Sequence, residues 1–308
     1  MSATTLHYGI LRPVAPVFAT GGSRILPHTA QGFQLLSEEI DRLALQAGHF
    51  TAATGSRSSS NSGPIQSSYA GIEVDRADYL GGDYAVSEHF SVALYGAEFE
   101  NLWRQYYGSA RYQWPLADQQ ALELGFDLYN TREHGRALAG KIDNTAWSLM
   151  LSYSRGAHRF SVAYQQIDGD EPFDYVGFGR ENSAGDSIYL ANSVHFSDFN
   201  GPGEKSAQLR YDLDLSSYGA PGLTFMTRYL YGKDVDGTAA DPHGAYADWF
   251  GKDDLERELN VEVGYVVQSG AARNLAVRLR QAWHRGDASL GGDSNQFRLM
   301  FEYPLEIL

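Results

Sequence analysis

Apolar and polar residues alternate one for one along many separate stretches of this chain, and few folds accept that pattern. In Gln296-Phe-Arg-Leu-Met-Phe-Glu-Tyr-Pro-Leu-Glu-Ile-Leu308, residues Phe297, Leu299, Phe301, Tyr303, Leu305 and Ile307 fall on one side. Gln296, Arg298, Met300, Glu302, Pro304 and Glu306 fall on the other. Successive side chains of a β-strand point to opposite faces, so a period of two marks strands that are apolar on one face and polar on the other. Leu275, Val277, Leu279 and Trp283 oppose Arg278, Arg280 and His284 in the same way, and Leu259, Val261, Val263, Tyr265 and Val267 oppose Glu258, Asn260 and Glu262. The pattern returns at Ala207 to Leu215 and Leu122 to Tyr129. Shorter matches add strands around 6–10, 32–40, 43–51, 79–86, 90–99, 104–116, 145–154, 159–165 and 223–231, which predicts about fourteen in all.

The connections predict how such strands are arranged. Ser87-Glu-His, Ala117-Asp-Gln-Gln, Arg155-Gly-Ala-His, Ser217-Tyr-Gly-Ala-Pro-Gly and Ser269-Gly-Ala-Ala-Arg-Asn are short and carry turn chemistry. Between them lie long links at 54–67, 168–203 and 233–255. A soluble sandwich has no reason to place its long loops on alternate connections. An up-and-down barrel that crosses a membrane does, with tight turns at one end and long loops at the other. Rings at strand ends, Trp103, Trp114, Tyr153, Tyr231 and Tyr303, would then form an aromatic girdle. Taken singly, each such ring fits ordinary cross-strand packing as well.

Composition agrees. The 33 glycines, 20 tyrosines and mean hydropathy of -0.37 describe a polar, ring-rich and turn-rich chain. No window approaches the roughly 18 consecutive apolar residues of a membrane-spanning helix, a test that says nothing against strands of about 9 to 11 residues. Cysteine is absent, which removes disulfides and thiolate metal sites. A net charge of -14 argues against a general nucleic-acid partner, because nothing would neutralise phosphates over a broad surface. The opening Met1-Ser-Ala-Thr-Thr-Leu-His-Tyr-Gly has neither the basic nor the apolar region of a signal peptide, and by itself points to the cytosol.

Several stretches carry a family resemblance. Leu6-His-Tyr-Gly-Ile-Leu-Arg-Pro with Gly21-Gly-Ser-Arg-Ile-Leu-Pro, then Glu171-Pro-Phe-Asp-Tyr-Val-Gly-Phe-Gly-Arg180 and Gly185-Asp-Ser-Ile-Tyr-Leu-Ala-Asn-Ser193, come first. Asp198-Phe-Asn-Gly-Pro-Gly-Glu-Lys-Ser206 and Arg278-Leu-Arg-Gln-Ala-Trp-His-Arg285 follow. In this order they resemble the OprD family of substrate-specific outer-membrane porins over the whole chain. The resemblance implies an all-β antiparallel transmembrane barrel, monomeric or weakly trimeric, with a lumen narrowed by inward-folded loops. Residues 12–31 would be the first constriction loop and 171–204 the second. It also implies eighteen strands against the fourteen counted, so the expectation is a single barrel domain over 1–308 lacking its N-terminal strands. A smaller closed barrel of about fourteen strands is the physical alternative.

Arg278 and Arg280 share one polar face, and Arg298 sits on that of the last strand. Neighbouring strands lie about 4.8 Å apart, so these guanidinium groups can form a track for carboxylates. By resemblance they match a basic ladder in the family, with Arg24 another rung. Asp186, with Ser183 nearby, matches the acidic side of the constriction. Arg111, Arg210 and Arg228 also project to polar faces. Opposed charged walls would orient carboxylate and zwitterionic solutes, the expected partners beside outer-membrane lipid and lipopolysaccharide. Any one arginine on a polar face is most often solvated or paired with a carboxylate; the cluster is what argues for a pore.

An enzyme is not expected. His284 and His195 with Asp198 or Ser197 could be arranged as a hydrolase-like set, but no nucleophile elbow or H-E-x-x-H motif is present. Asp234-Val-Asp-Gly-Thr resembles half a calcium loop without the later glutamate, so neither metal nor cofactor is expected. The function predicted is passive diffusion of small carboxylate-bearing solutes, such as amino acids and peptides, through an arginine-lined pore in the outer membrane. The alternative is a soluble or surface-exposed β-rich binding protein whose alternation covers a dry core.

Overall fold

The computed structural model describes residues 2–22, 26–116, 119–180 and 184–304. Where the sequence alternates it forms strands: β1 (Thr4–Leu11), β2 (Thr29–Ile40), β3 (Leu43–Thr54), β4 (Ala77–Ala85), β5 (Phe90–Phe99), β6 (Trp103–Pro115) and β7 (Gln120–Glu133). The series continues with β8 (Asp143–Arg155), β9 (His158–Asp168), β10 (Lys205–Asp214), β11 (Leu223–Asp236), β12 (Lys252–Val266), β13 (Ala276–Gly286) and β14 (Ser294–Glu302). These fourteen, the number expected from the pattern, lie in one antiparallel sheet in chain order.

Connections of two to nine residues join strands at one end, through 41–42, 86–89, 116–119, 156–157, 215–222 and 267–275. The first and fourth are two-residue turns, and each carries a left-handed residue, Arg42 (φ 61°) or Gly156 (φ 54°). That conformation matches the right-handed twist of the strands it joins. The opposite end bears 12–28, 55–76, 134–142, 169–204, 237–251 and 287–293, together with one exception. The link from β5 to β6 is only 100–102, so the expected rule of a long loop at every second connection fails there. There the Leu102 N–H donates to the Phe99 carbonyl at 3.0 Å and Asn101 takes a left-handed φ of 60°, closing a tight turn between buried Phe99 and Trp103.

Loop 169–204 shows how the sheet curves. It touches the polar face of strand after strand: Gln105 on β6, Tyr129 on β7, Ser148 on β8, Gln165 on β9, Gln208 on β10, Glu258 on β12 and Arg298 on β14 all hydrogen-bond to it. One loop can reach the same face of strands from β6 to β14 only if the sheet wraps around it. The polar face is therefore concave, as in a barrel wall, and the apolar face is outermost. Leu94 on the latter is 72 % exposed and Leu209, Phe297 and Phe301 are similarly open.

Inside the wall, near the long-loop end, lies a compact apolar cluster. Phe18 stacks on Phe50 of β3 at 4.8 Å and meets Phe178 edge-on at 5.2 Å. Short backbone pairings stitch the loops together: Val14–Ala15 with Phe18–Ala19, and Ile65–Ser67 with both Glu73–Val74 and Val176–Phe178. Trp103 belongs to this cluster. It is 1 % exposed and packs against Phe99 at 5.9 Å, which corrects its assignment to an outer girdle. Odd-numbered residues of β6 near that end face inward, whereas Trp114, Tyr231 and Tyr303 are outward and exposed. Tyr153 is half-buried, its hydroxyl donating to Gln120 at 2.6 Å.

An arginine in place of Leu94, in the middle of β5, is expected to cost about 2–4 kcal/mol in lipid vesicles. Arginine at Gln113, opposite Glu123 on the polar face, is expected to change stability by less than about 1 kcal/mol. Urea titration of the vesicle-folded protein, followed by tryptophan fluorescence, separates the two cases.

Candidate functional site

The loops inside the wall are irregular backbone with many polar groups, and buried carboxylates hold them. Asp174 accepts the N–H groups of Tyr69 (3.0 Å), Ala70 (3.2 Å) and Tyr175 (2.7 Å) and the Tyr246 hydroxyl (2.8 Å). One side chain thus ties loops 55–76, 169–204 and 237–251. Burial pushes the Asp174 carboxyl up from its ordinary value, against these donors pulling it down. Asp198 takes the hydroxyls of Tyr69 at 2.6 Å, Tyr175 at 2.9 Å and Ser193 at 2.5 Å. On the wall, Glu258 receives the N–H groups of Phe196 and Ser197, both at 3.0 Å.

Beside that anchorage the structure gathers the arginines. Arg210 on β10 lies directly opposite Arg228 on β11, and Arg280 on β13 directly opposite Arg298 on β14. Like charges facing each other across strands repel, and the residues between and beside them relieve it. Asp212 takes a two-pronged grip from Arg210 at 2.7 and 2.8 Å, Asn260 receives Arg228 at 2.7 Å, and Glu262 pairs with Arg280. Arg278 pairs with Glu302 at 3.1 Å, and Arg298 donates to the backbone carbonyl of His195 at 3.2 Å. The expected neighbourhood of Arg278, Arg280 and Arg298 forms, and Arg210 and Arg228 extend it along β10 to β14. What the sequence did not disclose is that each of these guanidinium groups carries a protein partner.

His195 sits against this row. It is only 6 % exposed, and Gln296 of β14 is the side chain that offers it a hydrogen bond. Burial, with the charges of Arg298, Arg280 and Arg228, pushes its pKa down to about 4.

Asp186 lies where loop 169–204 meets loop 12–28. Its own N–H donates to the Ala19 carbonyl at 2.9 Å, and Ser187 accepts the Ala19 N–H at 2.6 Å. Burial pushes the Asp186 carboxyl up; the Gly22 N–H, His28 and Arg12 draw it down. Tyr189 completes the seam, its hydroxyl donating to the Val14 carbonyl at 3.0 Å. Arg24 and Ser183 lie outside the described residues. Arg111 is on the polar face as expected, but on the preceding stretch of wall, paired with Asp127 at 2.5 Å. Near it is a pair the sequence reading passed over, Arg159 with Glu123 at 2.6 Å. Alternation along β9 does put Arg159 on the polar face, and that signal was there to be used.

The hydrolase-like set does not assemble. Ser197 donates its hydroxyl to Glu256 at 2.9 Å, and His284 bonds the same carboxylate at 2.6 Å, so the carboxylate rather than the imidazole is central. A histidine placed that way cannot take the serine proton. Asp234 binds Lys205 at 3.1 Å, and no group of metal-binding side chains occurs among the described residues.

Comparison with known proteins agrees with this architecture. The family model for outer membrane porins of the OprD family matches residues 1–307. Porin D of Pseudomonas aeruginosa is 53 % identical over 313 residues, spanning 100 % of this chain and 71 % of its own length. The porin-like protein GalP of Pseudomonas putida is 28 % identical, covering 100 % of this chain and 70 % of its own length. Among solved structures, Pseudomonas aeruginosa OprD superposes with a TM-score of 0.91 at 52 % identity, over 99 % of this chain and 77 % of that one. Pseudomonas aeruginosa OpdK with vanillate gives 0.87 at 32 % identity, over 99 % and 75 %.

The environment of His195 has a pH consequence. Its folded pKa lies below the ordinary 6.5, so between about 6.5 and 4 the unfolded chain binds the extra proton and acid favours unfolding. Stability is expected to fall as pH drops through that window, and His195→Gln is expected to flatten the difference. Hydrogen exchange at Val194 to Ser197, measured from pH 7 to pH 4 in both proteins, checks it.

Proposed function

The chain belongs to the OprD family of outer membrane porins, and from that premise we propose that it passes small carboxylate-bearing solutes, such as amino acids and peptides, by diffusion. The carrying observation is two facing pairs on one concave wall, Arg210 with Arg228 on β10 and β11 and Arg280 with Arg298 on β13 and β14. Arginine stays ionised and presents a flat fork of donors that fits a carboxylate. Because Asp212, Asn260 and Glu262 already engage three of these groups, an arriving carboxylate competes with a resident acceptor. Binding is then shallow enough for the solute to leave for the next arginine, as conduction requires.

In this scheme residues 12–31 and 171–204 are the two constriction loops of a single barrel domain. Their seam at Asp186, Ala19 and Tyr189 fits that role, since it joins the two segments across the lumen. Asp186, with Ser183, supplies the acidic side, and Arg24, Arg278, Arg280 and Arg298 the basic side. The OpdK structure with vanillate supports the same chemistry, vanillate being a carboxylate. The apolar outer face meets lipid and lipopolysaccharide, and the working unit is a monomer or weak trimer. A soluble β-rich binding protein, the other possibility that alternation left open, is not what this family builds. Porins are channels, and no reaction is assigned to the chain.

Replacing Arg280 and Arg298 together by glutamine is expected to lower the anion-to-cation permeability ratio at least about twofold. Adding Arg278→Gln should lower it further. Reversal potentials of the reconstituted protein under a KCl gradient give the ratio, and an unchanged value would remove the arginine row from the mechanism.

A further inference from the structure

The arginine row occupies β10 to β14. The preceding stretch of the same wall, β6 to β9, carries charges in a different arrangement. Arg111 of β6 donates to Asp127 of β7 at 2.5 Å, and Arg159 of β9 reaches across β8 to Glu123 of β7 at 2.6 Å. Along the strand direction the order on the wall is Arg159, Glu123, Arg111, Asp127, so the signs of these four alternate, and Glu88 and His89 of the 86–89 turn stand at the mouth of the same space. Between Glu123 and Asp127 on the same face stands Gly125, directly opposite Arg111 in register. A Cβ there would already be 3.4 Å from the Arg111 side chain. Glycine leaves room for Arg111 to lie across β7 and reach Asp127, whose other donor is the Tyr107 hydroxyl at 2.6 Å.

These groups line a cavity of about 630 Å³, beneath Tyr189 of the seam and towards the 86–89 turn. A second space of about 660 Å³ adjoins it and shares Arg111 and Tyr189. Three of the four charged side chains are open to the cavity: Arg111 is 44 % exposed, Arg159 37 % and Glu123 36 %, whereas Asp127 is only 7 % exposed.

A wall of alternating signs gives little attraction to a simple anion, since each of its charges meets both signs at similar range. A molecule carrying both charges a few ångströms apart can place each against its opposite. We propose that this cavity is a binding station for zwitterionic α-amino acids and short peptides, the solute's carboxylate meeting Arg159 and Arg111 while its ammonium meets Glu123. It rests on the reading of the protein as a channel for carboxylate-bearing solutes. It adds a second place on the path, on the short-turn side of Tyr189, that recognises the ammonium as well. Exchange is easy because the resident ion pairs are half-exposed, so Glu123 and Arg159 release each other as the solute engages both.

The test uses protein purified from outer membranes and reconstituted in planar bilayers, with L-alanine, acetate and methylammonium as probes. Alanine is expected to reduce the KCl conductance saturably, and Glu123→Gln and Arg159→Gln are each expected to raise its half-saturating concentration about fivefold. Acetate permeability relative to potassium is expected to stay that of the unaltered protein in Glu123→Gln. KCl conductance of each variant reports an intact pore, and Arg159→Gln carries the test if the glutamate variant lacks one. Alanine half-saturation within twofold of the unaltered protein in both variants overturns the station, as does an absence of saturation in the unaltered protein. Equal methylammonium and alanine effects overturn it too, since the site would then read the cation alone. Anion preference that survives any of these results leaves the arginine-row reading standing. Its loss in the unaltered protein would instead bring down that wider reading.

Discussion

In hydrocarbon no water is available for a backbone N–H or C=O, so each must be satisfied within the protein. Every other feature of this molecule follows from that requirement. Strands meet it only by pairing side by side, and here each strand from β2 to β13 is bonded on both edges to its neighbours in sequence. Such a sheet presents one face to lipid and one to water, which forces the side chains into a period of two. The low mean hydropathy of the chain reflects half of each strand facing water rather than a solvent-exposed surface.

The same rule governs the interior. Irregular backbone at membrane depth is tolerated where protein buries it or where it borders a water-filled space. The wall supplies the missing partners for the inward loops. Gln165 is the clearest case: its amide nitrogen donates to the carbonyls of Asp198 (3.0 Å) and Phe199 (2.8 Å), while its oxygen accepts the Asn192 N–H at 2.8 Å. Gln105 donates to the Asp174 carbonyl at 3.1 Å, and Asn144 to that of Glu171 at 2.7 Å. Amides and carboxylates on the polar face are therefore as much part of the loop fold as of the strand. A lumen lined by arginine alone could not hold these loops, because arginine donates and never accepts.

How much of this was legible depended on whether the signal was local. Val277 and Leu279 against Arg278 and Arg280 announce a strand and its two faces, because environment imposes the alternation residue by residue. Fourteen strands could be counted on that basis. Partners across strands are set by register, which no single strand encodes. Glu262 beside Arg280 and Asn260 beside Arg228 were thus unreadable, whereas Arg210 and Asp212, two apart on one polar face, were within reach of the pattern. Glu123 and Arg159 were harder still, for their contact skips β8 altogether. Trp103 was misjudged for a related reason: a strand-end position says nothing of which way the ring points when loops cover that end. The resemblance to porins placed the two inward segments, which periodicity alone left as loops.

The pairing of charges bears on how a pore of this kind discriminates. A bare arginine row would bind a carboxylate strongly and hold it; a row whose groups already share acceptors offers each arrival an exchange instead of a new bond. Exchange lowers the depth of every site without removing its preference for the charge and shape of a carboxylate, and it leaves a neutral solute with nothing to trade. The two stretches of wall do this differently. On β10 to β14 the five arginines share the polar face with Asp212, Glu256, Glu258, Glu262 and Glu302, so in the proposed scheme an arriving carboxylate displaces one resident acceptor from a guanidinium group. On β6 to β9, at the proposed station, a molecule that brings both charges replaces both halves of the Arg159–Glu123 pair at once. The proposed scheme thus puts exchange at single guanidinium groups and exchange at a whole ion pair on two successive stretches of one wall. What makes that possible is the same antiparallel ladder that keeps the backbone dry, because its register decides which carboxylate each arginine can reach.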